Sequence, residues 1–163
     1  MISNKKDAFA LERAKKYKIE AIFLDNKNKS REEFTNQIIS ELKKRKIDLV
    51  CLAGFMIILT NTIFMPENYQ NKIINIHPAL LPNFGGEGMY GMNVHKAVFA
   101  AGNKNSGATV HFVNEICDGG EIILQEAIDV SSCNSPDEIA KKVLEIEHKL
   151  YPKAIKLMIN NKN

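Results

Sequence analysis

Two nearly unbroken apolar runs, IDLVCLAGF at 47–55 and KIINIH at 72–77, constrain this chain more than any other feature. A strand covered on one face alternates apolar and polar residues, whereas a continuous run marks a strand covered on both, as in a parallel sheet. The second run opens directly into PALLPNFGGEGMYGM at 78–92, whose two prolines and four glycines exclude regular structure. A long loop at the carboxyl end of a buried strand is where open α/β sheets build their sites.

The flanking segments fit the same architecture. Ala8, Leu11 and Ala14 recur at helical spacing within 6–17, and IEAIFLD at 19–25 reads as a strand. Ser30 and Glu33 have the form of a capping box, and Phe34, Ile38, Ile39 and Leu42 continue a helix over 31–45. A short helix or turn at 60–70 contains Pro66. A helix over 93–102 has Gly102 where a C-terminal cap belongs. Strands at 107–113 and 121–130 join through a turn at Asp118 and its two following glycines. Ser135 to Glu138 is a second capping box with Pro136 at the first helical position, and the helix runs to about 150, where Pro152 should kink or restart it. The pattern predicts an α/β fold: one domain over 1–163, with an open, mostly parallel twisted sheet and helices on both faces, Rossmann-like. With 163 residues, 45% of them hydrophobic, there is material for one core and not two.

Composition removes several function classes. Twenty-two basic and 19 acidic residues leave a net charge of +3, and the lysines are scattered without an arginine or aromatic stripe, so no nucleic-acid partner is expected. Cys51, Cys117 and Cys133 include no C-x-x-C pair, which predicts reduced thiols and neither disulfide framework nor zinc site. No stretch approaches the roughly 18 apolar residues of a membrane span, and none resembles a signal peptide, so a cytoplasmic protein without membrane association is expected. The four histidines lack metal spacing such as H-E-x-x-H, no G-x-S-x-G elbow exists, and no metal is expected.

Asn75 and His77 stand two apart on a strand and therefore face the same side. An amide can donate to an oxyanion, and an imidazole can move a proton near neutral pH, a combination suited to acyl-type transfer. The alternative is a strand-ending histidine bonded to backbone. Asp118 before two glycines is either a turn former or a carboxylate that orients His77. His111 lies in an alternating apolar run and reads as a core histidine; His95 reads as a surface residue of its helix. Glu147 and His148 are ambiguous, Arg31 reads as solvated, and Cys117 is a poor nucleophile because the adjacent carboxylate disfavours its thiolate.

The strings SNKKDAFALERA, LAGFMIIL, NIHPALLP, GATVHFV, CDGGEIILQ and EHKLYP, in this order, cover nearly the whole chain. Together they resemble the glycinamide ribonucleotide formyltransferases of purine synthesis. NIHP-x-LLP followed by H-x-V-x(4)-DGG is the most specific part; the ending from Glu147 to Pro152 favours this family over its relatives. The resemblance implies direct attack of the glycinamide ribonucleotide amine on the formyl carbon of 10-formyltetrahydrofolate. It assigns Asn75 and His77 to the tetrahedral intermediate, with His77 as proton donor and Asp118 raising the histidine's pKa. It places the folate along Met56, Ile57, Ile58 and Leu59 and the loop Asn114, Glu115, Ile116, Cys117 and Asp118, with Asn75 and Arg31 on the folate side. Pro78 and Glu147 fall to the nucleotide substrate, and His111 to a supporting position behind the reacting centre.

Against the family pattern, the segment before Met1 is expected to be missing: the first strand, a G-x-G-S-N-like phosphate loop and the first helix. Such a loop holds a phosphate at a helix N-terminus. The resemblance therefore also admits a non-catalytic folate-binding fragment, or one half of a split enzyme whose partner is a separate N-terminal fragment. Formyltetrahydrofolate deformylase, which hands the formyl group to water, is a further alternative. Ile57 stands where many relatives carry arginine, and the loop 84–92 looks longer than in some relatives.

Overall fold

Both apolar runs become strands, each shorter than its run. The computed structural model describes residues 1–160 and contains two compact units, 1–47 with 57–68, and 48–56 with 69–160. In the first, β1 (Ile2–Ser3) pairs in parallel with β2 (Ile22–Phe23). The helix α1 (Phe9–Lys16) buries Leu11 and Ala14, and α2 (Arg31–Lys44) buries Phe34, Thr35, Ile38, Ile39 and Leu42. The capping box is complete at α2: Ser30 Oγ accepts from the Glu33 N–H, and the Glu33 carboxylate accepts from the Ser30 N–H at 2.7 Å. A single 3₁₀ turn, Asn61–Phe64, buries Ile63.

The second unit is built on four strands in the order β3 (Val50–Leu52), β4 (Ile73–His77), β5 (Asn105–Phe112) and β6 (Ile122–Asp129). β3 ends early because Gly54 takes a left-handed φ of 61° and turns the chain. β3 and β4 are parallel, but β4–β5 and β5–β6 are antiparallel. The α/β class stands, and the sheet is mixed rather than mostly parallel. The connection from β5 to β6 carries no helix, and a parallel return needs a longer crossover.

Two further helices complete this unit, α3 (Met92–Ala100) and α4 (Pro136–Asn160). Ile139, Val143, Ile146, Leu150 and Ala154 of α4 pack with Val98 of α3 and with Ile74, Ala108 and Val110 of the sheet. The helix runs through Pro152 without restarting. Leu150 and Ala154 are buried on either side of it, and that packing outweighs the one backbone hydrogen bond a proline forfeits. Only half of the second capping box forms: Ser135 Oγ accepts from the Glu138 N–H, while the Glu138 carboxylate reaches the Asn134 N–H instead. Gly102 caps α3 with a φ of 65°. Tyr151 ties α4 to the parallel pair, its hydroxyl donating to the carbonyls of Leu52 (2.7 Å) and Ile74 (3.1 Å).

Candidate active site

Strand alternation decides which residues of β4 and β5 can meet. Ile74 and Val110 point into the core beneath α4. Residues of the opposite parity therefore face the other side, and the antiparallel register sets Asn75 beside His111 and His77 beside Thr109. The turn before β6 then delivers Asp118 to the same place. Its Oδ2 lies 3.4 Å from His77 Nδ1, and its Oδ1 lies 3.6 Å from His111 Nε2. His77 is 4% exposed, His111 2%, and the Asp118 side chain 11%.

Asp118 is also a turn residue, with φ of 55°, a conformation that aspartate tolerates better than most. The turn reading holds, and the same residue stands beside His77. The glycines after it are needed for space: a Cβ on Gly120 would sit 1.7 Å from the Phe112 carbonyl oxygen. The carboxylate accepts a further bond from the Gly86 N–H at 3.0 Å, and Cys117 Sγ stands 3.9 Å from Oδ2. Burial pushes the Cys117 thiol up, with the Asp118 charge adding to it, which keeps that sulfur a thiol.

Each histidine has one nitrogen committed to a carbonyl. His77 Nε2 donates to the Phe84 oxygen at 2.8 Å, and His111 Nδ1 donates to the Phe112 oxygen at 2.8 Å. A carbonyl can only accept, so both of those nitrogens carry hydrogen. Burial holds the His111 imidazole below its ordinary value, the Phe112 carbonyl and Asp118 opposing less strongly. Neutral His111 therefore presents a bare Nε2 lone pair beside Asp118, buried and without a hydrogen-bond partner among the described residues. His77 by contrast offers Nδ1 to a carboxylate. The half-buried Asn75 amide makes no side-chain hydrogen bond among the described residues, which leaves it available to a ligand. An amide donor beside an imidazole and its carboxylate can stabilise an oxyanion and move a proton.

The remaining expected residues divide between the units. Pro78 is half-buried and opens the loop directly after His77. Asn114, Glu115, Ile116 and Cys117 form the exposed turn leading to Asp118, with Asn114 Oδ1 accepting from the Ile116 N–H at 2.9 Å. Met56 is exposed in the same unit. Arg31, Ile57, Ile58 and Leu59 belong to the first unit: Arg31 is the exposed first residue of α2, Ile58 is exposed, and Leu59 is buried. Glu147 sits on α4, which packs on the sheet face opposite to His77, and it is half-buried. Burial raises its carboxyl above the ordinary range.

Three features were not anticipated. His95 is buried, not a surface residue; its Nδ1 has no hydrogen-bond partner among the described residues, and burial followed by the nearby His77 lowers its pKa. Helical phase could have signalled this, since His95 lies between the buried Val94 and Val98. Thr109 Oγ1 is a hub beneath the loop, accepting from the Leu81 N–H and Gln125 Nε2 while donating to the Ala79 carbonyl. The third is the identity of the carbonyl on His77: the backbone-bonded reading of this histidine holds, but no side-chain pattern points to Phe84.

The formyl transferase family model matches residues 1–155, a span that runs through both units. The chain is 39% identical over 157 residues to phosphoribosylglycinamide formyltransferase of Haemophilus influenzae, covering 96% of this chain and 71% of that protein. It is 38% identical over 157 residues to the chloroplastic enzyme of that name from Arabidopsis thaliana, covering 95% of this chain and 53% of that protein, so it spans about half of that relative's length. Among solved structures, glycinamide ribonucleotide transformylase 1 from Symbiobacterium toebii superposes with a TM-score of 0.88 at 36% identity, over 98% of this chain and 73% of that one. The phosphoribosylglycinamide formyltransferase of Bacillus halodurans gives 0.88 at 32% identity, over 99% and 80%. The chain belongs to the formyl transferase family.

Proposed function

We propose that this chain transfers the formyl group of 10-formyltetrahydrofolate to the amine of glycinamide ribonucleotide, a step of purine biosynthesis. The observation that carries this reading is the meeting of His77 and Asp118, far apart in sequence, on the sheet face that also bears Asn75. The attacking amine converts the formyl carbon to a tetrahedral centre. The Asn75 amide and the His77 imidazole stabilise its oxygen, and His77 supplies the proton that the departing folate nitrogen requires. Holding the two substrates together contributes much of the remaining rate, because a positioned amine needs no covalent intermediate. The exposed apolar side chains of Met56 and Ile116, with the backbone of Asn114–Asp118, suit a flat heteroaromatic ring that carries its own donors and acceptors.

The experiment is formyl transfer with both substrates, comparing the wild type with His77→Ala. The expected loss is about 100-fold or more in kcat. Equal rates in the two proteins would refute the assigned chemistry.

A further inference from the structure

The loop 78–92 meets the acid–base pair through three consecutive residues, each of which fixes something different. Phe84 holds a φ of 55°, a conformation that a bulky residue rarely adopts, and its carbonyl oxygen takes the His77 Nε2–H at 2.8 Å. Its side chain packs against the core cluster, so backbone and ring are anchored together. Gly85 fills the closest approach: a Cβ there would stand 2.4 Å from Leu81 Cδ2 and 3.3 Å from Asp118 Cβ. Gly86, at φ of 93°, donates its N–H to Asp118 Oδ2 at 3.0 Å. One short stretch of backbone thus grips the imidazole at one end and the carboxylate at the other. Thr109 holds the start of the same loop from below, through Ala79 and Leu81.

We propose that Phe84, Gly85 and Gly86 are positioning residues for the His77–Asp118 pair, and that the Phe84 carbonyl holds the Nε2 proton until the reacting group takes it. The proposal rests on the formyl-transfer reading above. His77 Nε2 is bonded to a neutral carbonyl in this structure, and Nδ1 stands 3.4 Å from a carboxylate. A proton can leave toward substrate only by exchanging the Phe84 bond for a stronger one. An oxyanion is such an acceptor, and a charge-assisted bond replacing a neutral one favours the transition state over the ground state. The balance closes over a turnover. The attacking amine gives up one proton, the departing nitrogen gains one, and His77 returns to its starting state with Nε2–H again on Phe84.

The test is ¹⁵N-histidine NMR on the full chain without substrates, followed by kinetics. The expected wild-type result is a protonated His77 Nε2 whose hydrogen exchanges slowly. Gly85→Ala should speed that exchange by about tenfold or more while leaving the His111 Nδ1–H, bonded to Phe112, unchanged. With both substrates its kcat should fall by about tenfold or more, with KM within about threefold of wild type. Where Gly85→Ala does not fold, Phe84→Gly keeps every backbone group and tolerates the left-handed φ but frees the segment, and the same shifts are expected. An unprotonated His77 Nε2 in the wild type, or a folded variant with unchanged exchange and kcat, overturns the proposal. A slowly exchanging Nε2–H in a wild type that transfers no formyl group would leave the grip of the loop standing and remove the reaction assigned to it.

Discussion

Asp118 Oδ2 stands 3.4 Å from His77 Nδ1, while Oδ1 of the same carboxylate stands 3.6 Å from His111 Nε2. One carboxylate therefore stands between the two imidazoles, a different oxygen toward each. Replacement by asparagine tests its charge in isolation. Asparagine accepts the left-handed φ of this position as readily, and its amide oxygen can still take the Gly86 N–H. We expect Asp118→Asn to fold with an unchanged denaturant midpoint and to lose about 100-fold or more in kcat. A variant that keeps its rate would reduce Asp118 to a turn former.

His111 makes stability depend on acid. Its imidazole sits below the ordinary histidine value because burial disfavours the cation. Between that lowered value and the unfolded value of about 6.5, the unfolded chain binds more protons than the folded one. The stability in question is complete above about 6.5 and is lost as pH falls through the folded value. His95 contributes in the same direction. Glu147 acts oppositely, so the useful quantity is a difference between proteins. Urea midpoints measured from about pH 7.5 to pH 5 should fall less steeply in His111→Asn, whose amide can still donate to Phe112, than in wild type. Parallel slopes would mean that His111 protonates freely in the folded state.

How much of this was readable in advance varies with the kind of interaction. Asn75, His77 and Asp118 could be named because strand period and motif order are properties of the sequence. Ser30 and Glu33 could be paired because a capping box closes within four residues. The direction of β5 was not legible from a short apolar string, which reads alike in either orientation, and so the sheet was expected to be more parallel than it is. His95 was misplaced because a lone polar residue on a short helix reports its phase only through its neighbours. Phe84 escaped because its role is that of a carbonyl, and every residue has one.

Tyr151 provides a structural test independent of the reaction. Its hydroxyl bridges the carbonyls of Leu52 and Ile74, neighbouring strands of the parallel pair, and burial drives its ionisation well above the ordinary tyrosine range. Tyr151→Phe preserves shape but leaves two carbonyls without that donor, and should cost about 1–3 kcal/mol in unfolding free energy. Denaturant unfolding with an unchanged m-value would check it. Ile74→Ala, at a fully buried position of the same strand, should cost about 2–5 kcal/mol through transfer and cavity terms together. A tyrosine variant as costly as the isoleucine one would show that the hydroxyl does more than satisfy two acceptors.

Glu147 should separate stability from substrate binding. It is half-buried on α4, has no hydrogen-bond partner among the described residues, and burial raises its carboxyl above the ordinary 4.5. For a carboxyl raised on folding, the folded state binds more protons between 4.5 and the raised value, so stability falls as pH climbs through that window. At pH 7 the ionised side chain is therefore a cost, and Glu147→Gln should unfold at higher urea than wild type. The advantage should shrink as pH drops and vanish below about 4.5, where both side chains are neutral. If the carboxylate is kept because it receives a hydroxyl or amine of the nucleotide substrate, the more stable variant will bind that substrate worse. Loss of one hydrogen bond to a charged group predicts a KM for the amine substrate raised about tenfold or more with kcat little changed. A glutamine variant that gains stability and keeps its KM would leave Glu147 outside the site; one that loses stability at pH 7 would show that the carboxylate has a partner in solution.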